Sequence, residues 1–231
     1  MGFSTDLLAR VGPLWTRMLD HPFLLETRDG TLPDATFANW MRQDYVFVEA
    51  AIPFMGALLA KAPTDQRKPL ADAIVAFQRE LELFRERAAA VGVDLRDVMP
   101  ALVCHAYIQF LVATAAISGY AEGFTVLYAA EKAYHESWKV VRAGIEPGSP
   151  WMPFVENWAG DVFAGWVAWL ETELDQLAAA AGPAERQGMA RLFETTVRYE
   201  IAFWELAYGR AQGWPGIEEG SAADAGPPEV G

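Results

Sequence analysis

Apolar residues recur along this chain with a helical period almost everywhere, and no run alternates convincingly with the period of a strand. The first case is Leu7, Leu8, Val11, Trp15 and Met18, which share one helical face. The pattern predicts seven helices: Thr5–Asp20, Asp34–Lys61, Thr64–Gly92, Pro100–Ser118, Tyr120–Gly144, Met152–Ala181 and Ala184–Arg210. Asp34 reads as an N-cap, Pro53 and Gly56 as the place where the second helix bends, and Gly92 as a C-terminal stop. Several helices are apolar on more than one face, so they belong inside a bundle. The fold class is all-α.

After Arg210 the sequence turns to Gly, Pro, Ala and acid, and Gly213–Gly231 reads as a disordered acidic tail behind a single domain spanning 1–212. The 231 residues are 52% hydrophobic and 13% aromatic, enough for a large core.

The formal charge of −13 carries no basic run and argues against nucleic acid and anionic membranes as partners. No apolar stretch reaches the roughly 18 residues of a membrane span, and no secretory leader is visible. Cys104 is the only cysteine, which excludes an intrachain disulfide and fits the cytoplasm. The histidines, His21, His105 and His135, lie on three segments, and none has an acid three residues before it, so no metal site is expected. Nucleotide-binding, nucleophile-elbow and zinc-protease signatures are missing.

More informative are acids set among aromatics. Gln43-Asp44-Tyr45 interrupts an apolar face with Phe47 one turn on; Glu131 precedes Tyr134; Glu200 is flanked by Tyr199, Phe203 and Trp204. A carboxylate withdrawn from water has a raised pKa and can give up a proton near neutrality. The same periodicity also allows such acids to be surface residues, with Tyr107, Tyr134 and Trp158 as core.

These residues carry a resemblance. DHPF (Asp20–Phe23), DGTLP (Asp29–Pro33), F..W..QDYVF (Phe37–Phe47) and E..FW..AY (Glu200–Tyr208) are similar to the TenA, or thiaminase II, family over about residues 5–210. The resemblance implies a heme-oxygenase-like bundle without heme or other cofactor, assembled as a homo-oligomer (tetramer or dimer). It implies hydrolysis of aminopyrimidines in thiamine salvage. On this likeness Asp44 reads the aminopyrimidine, Phe47, Tyr107, Tyr134 and Trp158 surround its ring, and Glu200 is the proton donor. Trp158 stands where the family usually has Tyr.

The family's nucleophilic cysteine falls at Ala130, within VLYAAEKAYHESW, and alanine cannot form a covalent adduct. The sequence there resembles the glutamate-type branch that lacks this cysteine, which directs attention to Glu131 as a second catalytic carboxylate. One step along a helix turns a side chain by about 100 degrees, so the orientation of Glu131 is left to the structure. Cys104, three residues before Tyr107, is the one thiol that could replace the missing nucleophile. The rival expectation is a non-catalytic aminopyrimidine-binding or regulatory protein that kept the pocket and lost the chemistry.

Overall fold

The computed structural model describes residues 2–211 and 213–215. Among the described residues ten helices follow one another: α1 (Phe3–Arg10), α2 (Gly12–Leu19), α3 (Pro22–Arg28), α4 (Asp34–Lys61), α5 (Arg67–Val91), α6 (Leu102–Ile117), α7 (Tyr120–Arg142), α8 (Met152–Ala159), α9 (Asp161–Ala180) and α10 (Pro183–Ala207). Among the described residues there is no strand.

The all-α expectation holds, but the expected count of about seven is corrected to ten, for three local reasons. The first helix breaks at Val11, before Pro13, whose missing N–H suits a helix start. The segment expected as a connection after Asp20 is itself α3: Pro22 opens it, and the backbone N–H of Phe23 donates to His21 Nδ1 at 3.2 Å. The sixth helix divides at Gly160, which caps α9 in extended geometry. Asp34 is the first helical residue rather than the cap, which is Pro33, and α4 continues as helix through Pro53.

The buried residues of α4 follow a three-four spacing: Phe37, Met41, Asp44, Val48, Ala51, Met55 and Leu58. In α10 the same spacing runs through Met189, Phe193, Thr196, Glu200, Phe203 and Ala207. This is the seam by which a helix packs into a bundle. α7 lies at the centre, against α10, α9, α8, α3 and α6, and is buried on nearly every side. Its Gly123 lets α4 approach closely, since a Cβ there would meet Leu58 Cδ2 at 2.5 Å.

Of the tail expected over 213–231, residues 216–231 lie outside the described residues. Trp214 does not: its indole N–H donates to the Pro100 carbonyl at 3.0 Å and its ring meets His105 edge-on. Among the described residues no helix is long and apolar enough to cross a membrane.

Candidate active site

Four carboxylates sit at seam positions that would ordinarily be apolar. Asp44 lies between Met41 and Val48 in α4, Glu200 between Thr196 and Phe203 in α10, Glu131 between Tyr128 and Tyr134 in α7, and Glu80 between Phe77 and Phe84 in α5. Their helices pack together, so the four side chains converge. They line one cavity with Phe47, Trp158, Tyr134 and Ala130. No Lys or Arg lines it.

Asp44 is fully buried. Its Oδ1 accepts a short hydrogen bond from the Tyr134 hydroxyl, and its Oδ2 has no partner. Tyr134 is fixed by stacking on Trp204, with ring centroids 5.5 Å apart, and by an edge contact with Trp158. Trp158 is fixed in turn from its backbone: its carbonyl accepts from His135 Nδ1 at 2.8 Å, so that nitrogen carries the proton. Behind Trp158 stand Trp138, Phe154 and Trp40, a rigid aromatic floor.

Glu200 is 1% exposed. Tyr107 donates to its Oε1 at 2.5 Å, and its Oε2 faces no partner. Tyr107 is thus not part of the cavity wall; it stands behind Phe47, 4.7 Å between ring centroids, and reaches the site through Glu200. Glu131 faces the cavity, its Oε2 accepting from the indole N–H of Trp166 at 3.1 Å.

Burial without cations pushes all four acids up. Desolvation raises Asp44 to about 7, against the Tyr134 hydrogen bond that opposes it. Desolvation raises Glu131 to about 7, the Trp166 hydrogen bond again opposing. Glu200 reaches about 8, through burial and then the charges of Asp44 and Glu131, with the Tyr107 hydrogen bond pulling the other way. Glu80 rises well above the usual carboxylate range for the same reasons of burial and neighbouring Glu131 and Asp44. Near neutrality this cavity holds protons as well as negative charge, so it can donate to one atom of a ligand and accept from another.

Gln43, beside Asp44, is structural: Ala101 N–H donates to its Oε1 at 2.8 Å and its Nε2 donates to the Met99 carbonyl, tying α4 to the start of α6. Tyr45 points elsewhere, under the Arg85 guanidinium. Cys104 is fully buried outside the cavity, its thiol directed at the Gln43 carbonyl at 3.5 Å. Burial and the Asp44 charge push that thiol far above its ordinary value, the opposite of a nucleophile's environment.

The model of the TENA/THI-4/PQQC family matches residues 8–210. The chain belongs to that family. This TenA-family chain is 27% identical to an aminopyrimidine aminohydrolase of Halalkalibacterium halodurans, over 90% of this chain and 96% of that one. It is 25% identical to a Glycine max protein named "Probable bifunctional TENA-E protein", over 90% and 94%. Among solved structures, a TenA homologue from Pyrococcus furiosus superposes with a TM-score of 0.86 at 34% identity, covering 89% of this chain and all of that one. A Shewanella denitrificans domain with a heme oxygenase-like fold superposes at 0.72, with 16% identity over 89% and 91%. The TenA bundle is therefore heme-oxygenase-like, as the sequence resemblance implied.

Sequence reasoning missed Glu80, Phe77 and Phe163 as lining residues and Trp166 as the donor to Glu131. A signal for Glu80 was present: Phe77, Glu80 and Phe84 are spaced three and then four apart, a carboxylate inside an apolar seam. Trp166 carried none, because a Trp on an amphipathic helix reads as core.

Proposed function

We propose that this TenA-family protein is a hydrolase of thiamine salvage, acting on amino- and formylamino-methyl pyrimidines without a cysteine nucleophile. The observation that carries the reading is the cavity itself: aromatic residues Phe47, Tyr134 and Trp158 line it together with Asp44 and Glu200, each of which has a buried carboxylate oxygen without a partner, and residue 130 offers methyl, not thiol. The aminopyrimidine aminohydrolase among its relatives and the TENA-E protein of soybean support the substrate class and the branch.

In this reading Phe47 and Trp158 hold the ring, and the free Oδ2 of Asp44 accepts from the exocyclic amine. Glu131, held by Trp166, removes a proton from water as its oxygen attacks the formyl carbon or the ring methylene. Glu200, protonated at neutral pH, gives its proton to the departing nitrogen through the unpaired Oε2, and the Tyr107 hydroxyl stabilises the carboxylate left behind.

Purified protein mixed with each pyrimidine should release ammonia or formate, followed by NMR, and Glu200→Gln should end both reactions. Ala130 also suits the second reading, a binding protein without chemistry. Thermal stabilisation by hydroxymethyl-pyrimidine with no turnover of either compound would select that one.

A further inference from the structure

A second, larger cavity lies outside the first. It opens beside exposed Val162 and is walled by Trp166, Trp169 and Asn157. Four residues line both cavities: Phe77, Glu80, Glu131 and Phe163. Two rings and two carboxylates therefore form the neck between them. A substituent that reaches from a ring seated against Asp44 and Trp158 toward the outer cavity meets Glu80 and Glu131.

The two acids are not equivalent. Glu131 has the Trp166 N–H to stabilise its charge, at 3.1 Å. Glu80 is 7% exposed and forms no ion pair with any described Lys or Arg; the N–H groups of Asn157 and Trp158 favour its charge, but burial and the acids opposite outweigh them. Facing it from the other helices are Glu131 on α7 and Asp44 on α4, both acidic. Burial beside two other acids favours the protonated form of Glu80 more strongly than that of Glu131, which divides donor from acceptor.

We propose that Glu80 is a specificity-determining catalytic residue, a neutral carboxylic acid that hydrogen-bonds the carbonyl oxygen of the formylamino substituent and so makes this site a deformylase. The inference rests on the proposed hydrolase reading. Glu131 takes a proton from water as the water oxygen bonds to the formyl carbon. The C=O electron pair moves onto oxygen, where Glu80 donates its hydrogen bond. On collapse the C=O bond re-forms, the C–N bond breaks, and the nitrogen takes the Glu200 proton, giving the amine and formic acid. The proton on Glu131 then replaces the one lost by Glu200. Removal of the amino group from the unformylated compound has no carbonyl for Glu80 to hold.

The test is the ratio of kcat/KM for the formylamino and amino compounds in wild type, Glu80→Leu and Glu80→Gln, with hydroxymethyl-pyrimidine binding measured by calorimetry in each. Loss of an oxyanion donor costs about 100-fold. Glu80→Leu should lower the ratio by about that factor. Glu80→Gln, whose amide N–H replaces the acid O–H, should keep it within about fivefold of wild type. An equal fall for both substrates in Glu80→Leu would make Glu80 merely structural and overturn the inference while the hydrolase reading stands. Loss of the ratio in Glu80→Gln as deep as in Glu80→Leu would make Glu80 a base, also overturning it. Wild type that deaminates but does not deformylate overturns the inference alone; wild type inert on both compounds overturns the inference and the hydrolase reading together.

Discussion

The hydroxyl of Tyr107 donates to one oxygen of Glu200 at 2.5 Å and leaves the other without a partner. One carboxyl thus has a fixed end and a working end. Because the hydrogen bond lowers the Glu200 pKa from what burial alone would give, its removal raises it further. Tyr107→Phe should move the alkaline limb of the kcat profile to higher pH. It should cut kcat by about tenfold, since the product carboxylate loses a bond worth roughly 1.5 kcal/mol. KM should hold, because Tyr107 does not line the cavity. A profile unchanged in both respects would separate Tyr107 from the chemistry.

Asp44 should dominate ring affinity. In Asp44→Asn the Tyr134 hydroxyl still has an oxygen to donate to, but the other position becomes an NH₂ facing the ligand's own amine. Two donors then meet in a buried site, and the Kd for hydroxymethyl-pyrimidine should rise about 100-fold, or roughly 3 kcal/mol. Titration calorimetry reads this directly; affinity within a few-fold of wild type would move the ring elsewhere.

The buried acids also set how stability depends on pH. Asp44, Glu131 and Glu200 have folded values of about 7, about 7 and about 8, all above the values they take unfolded. Between these limits the native state binds more protons than the unfolded one, so stability falls as pH rises. Their contribution is complete below the unfolded carboxylate range and is lost through about pH 8. Surface acids with depressed values, exposed Asp94 and half-buried Glu194, already contribute fully across this window and do not oppose the trend. Urea unfolding from about pH 5 to about pH 8.5 should show the decline, and Glu200→Gln should remove roughly 2–4 kcal/mol of it. A wild-type curve flat over that window would mean that these acids ionise normally.

The sequence made the bundle legible because each helix repeats its apolar seam for several turns. It missed the breaks at Val11 and Gly160, since one irregular residue hardly disturbs the period. Asp44 and Glu200 were readable because their motifs are specific and aromatic residues surround them in sequence. Glu80 showed only as a carboxylate in the Phe77–Phe84 seam, because the residues that surround it come from α4, α7 and α8, remote in the chain. Nor could periodicity assign Tyr107 to its place behind Phe47, since wall and backing residues share one helical face and differ only in what stands opposite.

Cys104 puts the missing nucleophile to a final test. It lies on the face of α6 turned to α4, where its thiol meets the Gln43 carbonyl rather than the cavity. Desolvation and the Asp44 charge keep it protonated, so it has neither access nor reactivity. Cys104→Ala should therefore leave kcat and KM for both pyrimidines within about twofold of wild type, while the small void it opens costs about 1 kcal/mol of stability. Iodoacetamide should label native wild-type protein far more slowly than the urea-unfolded chain. Turnover lost in Cys104→Ala, with hydroxymethyl-pyrimidine still bound at wild-type affinity, would return the chemistry to a thiol and remove Glu131 as the base.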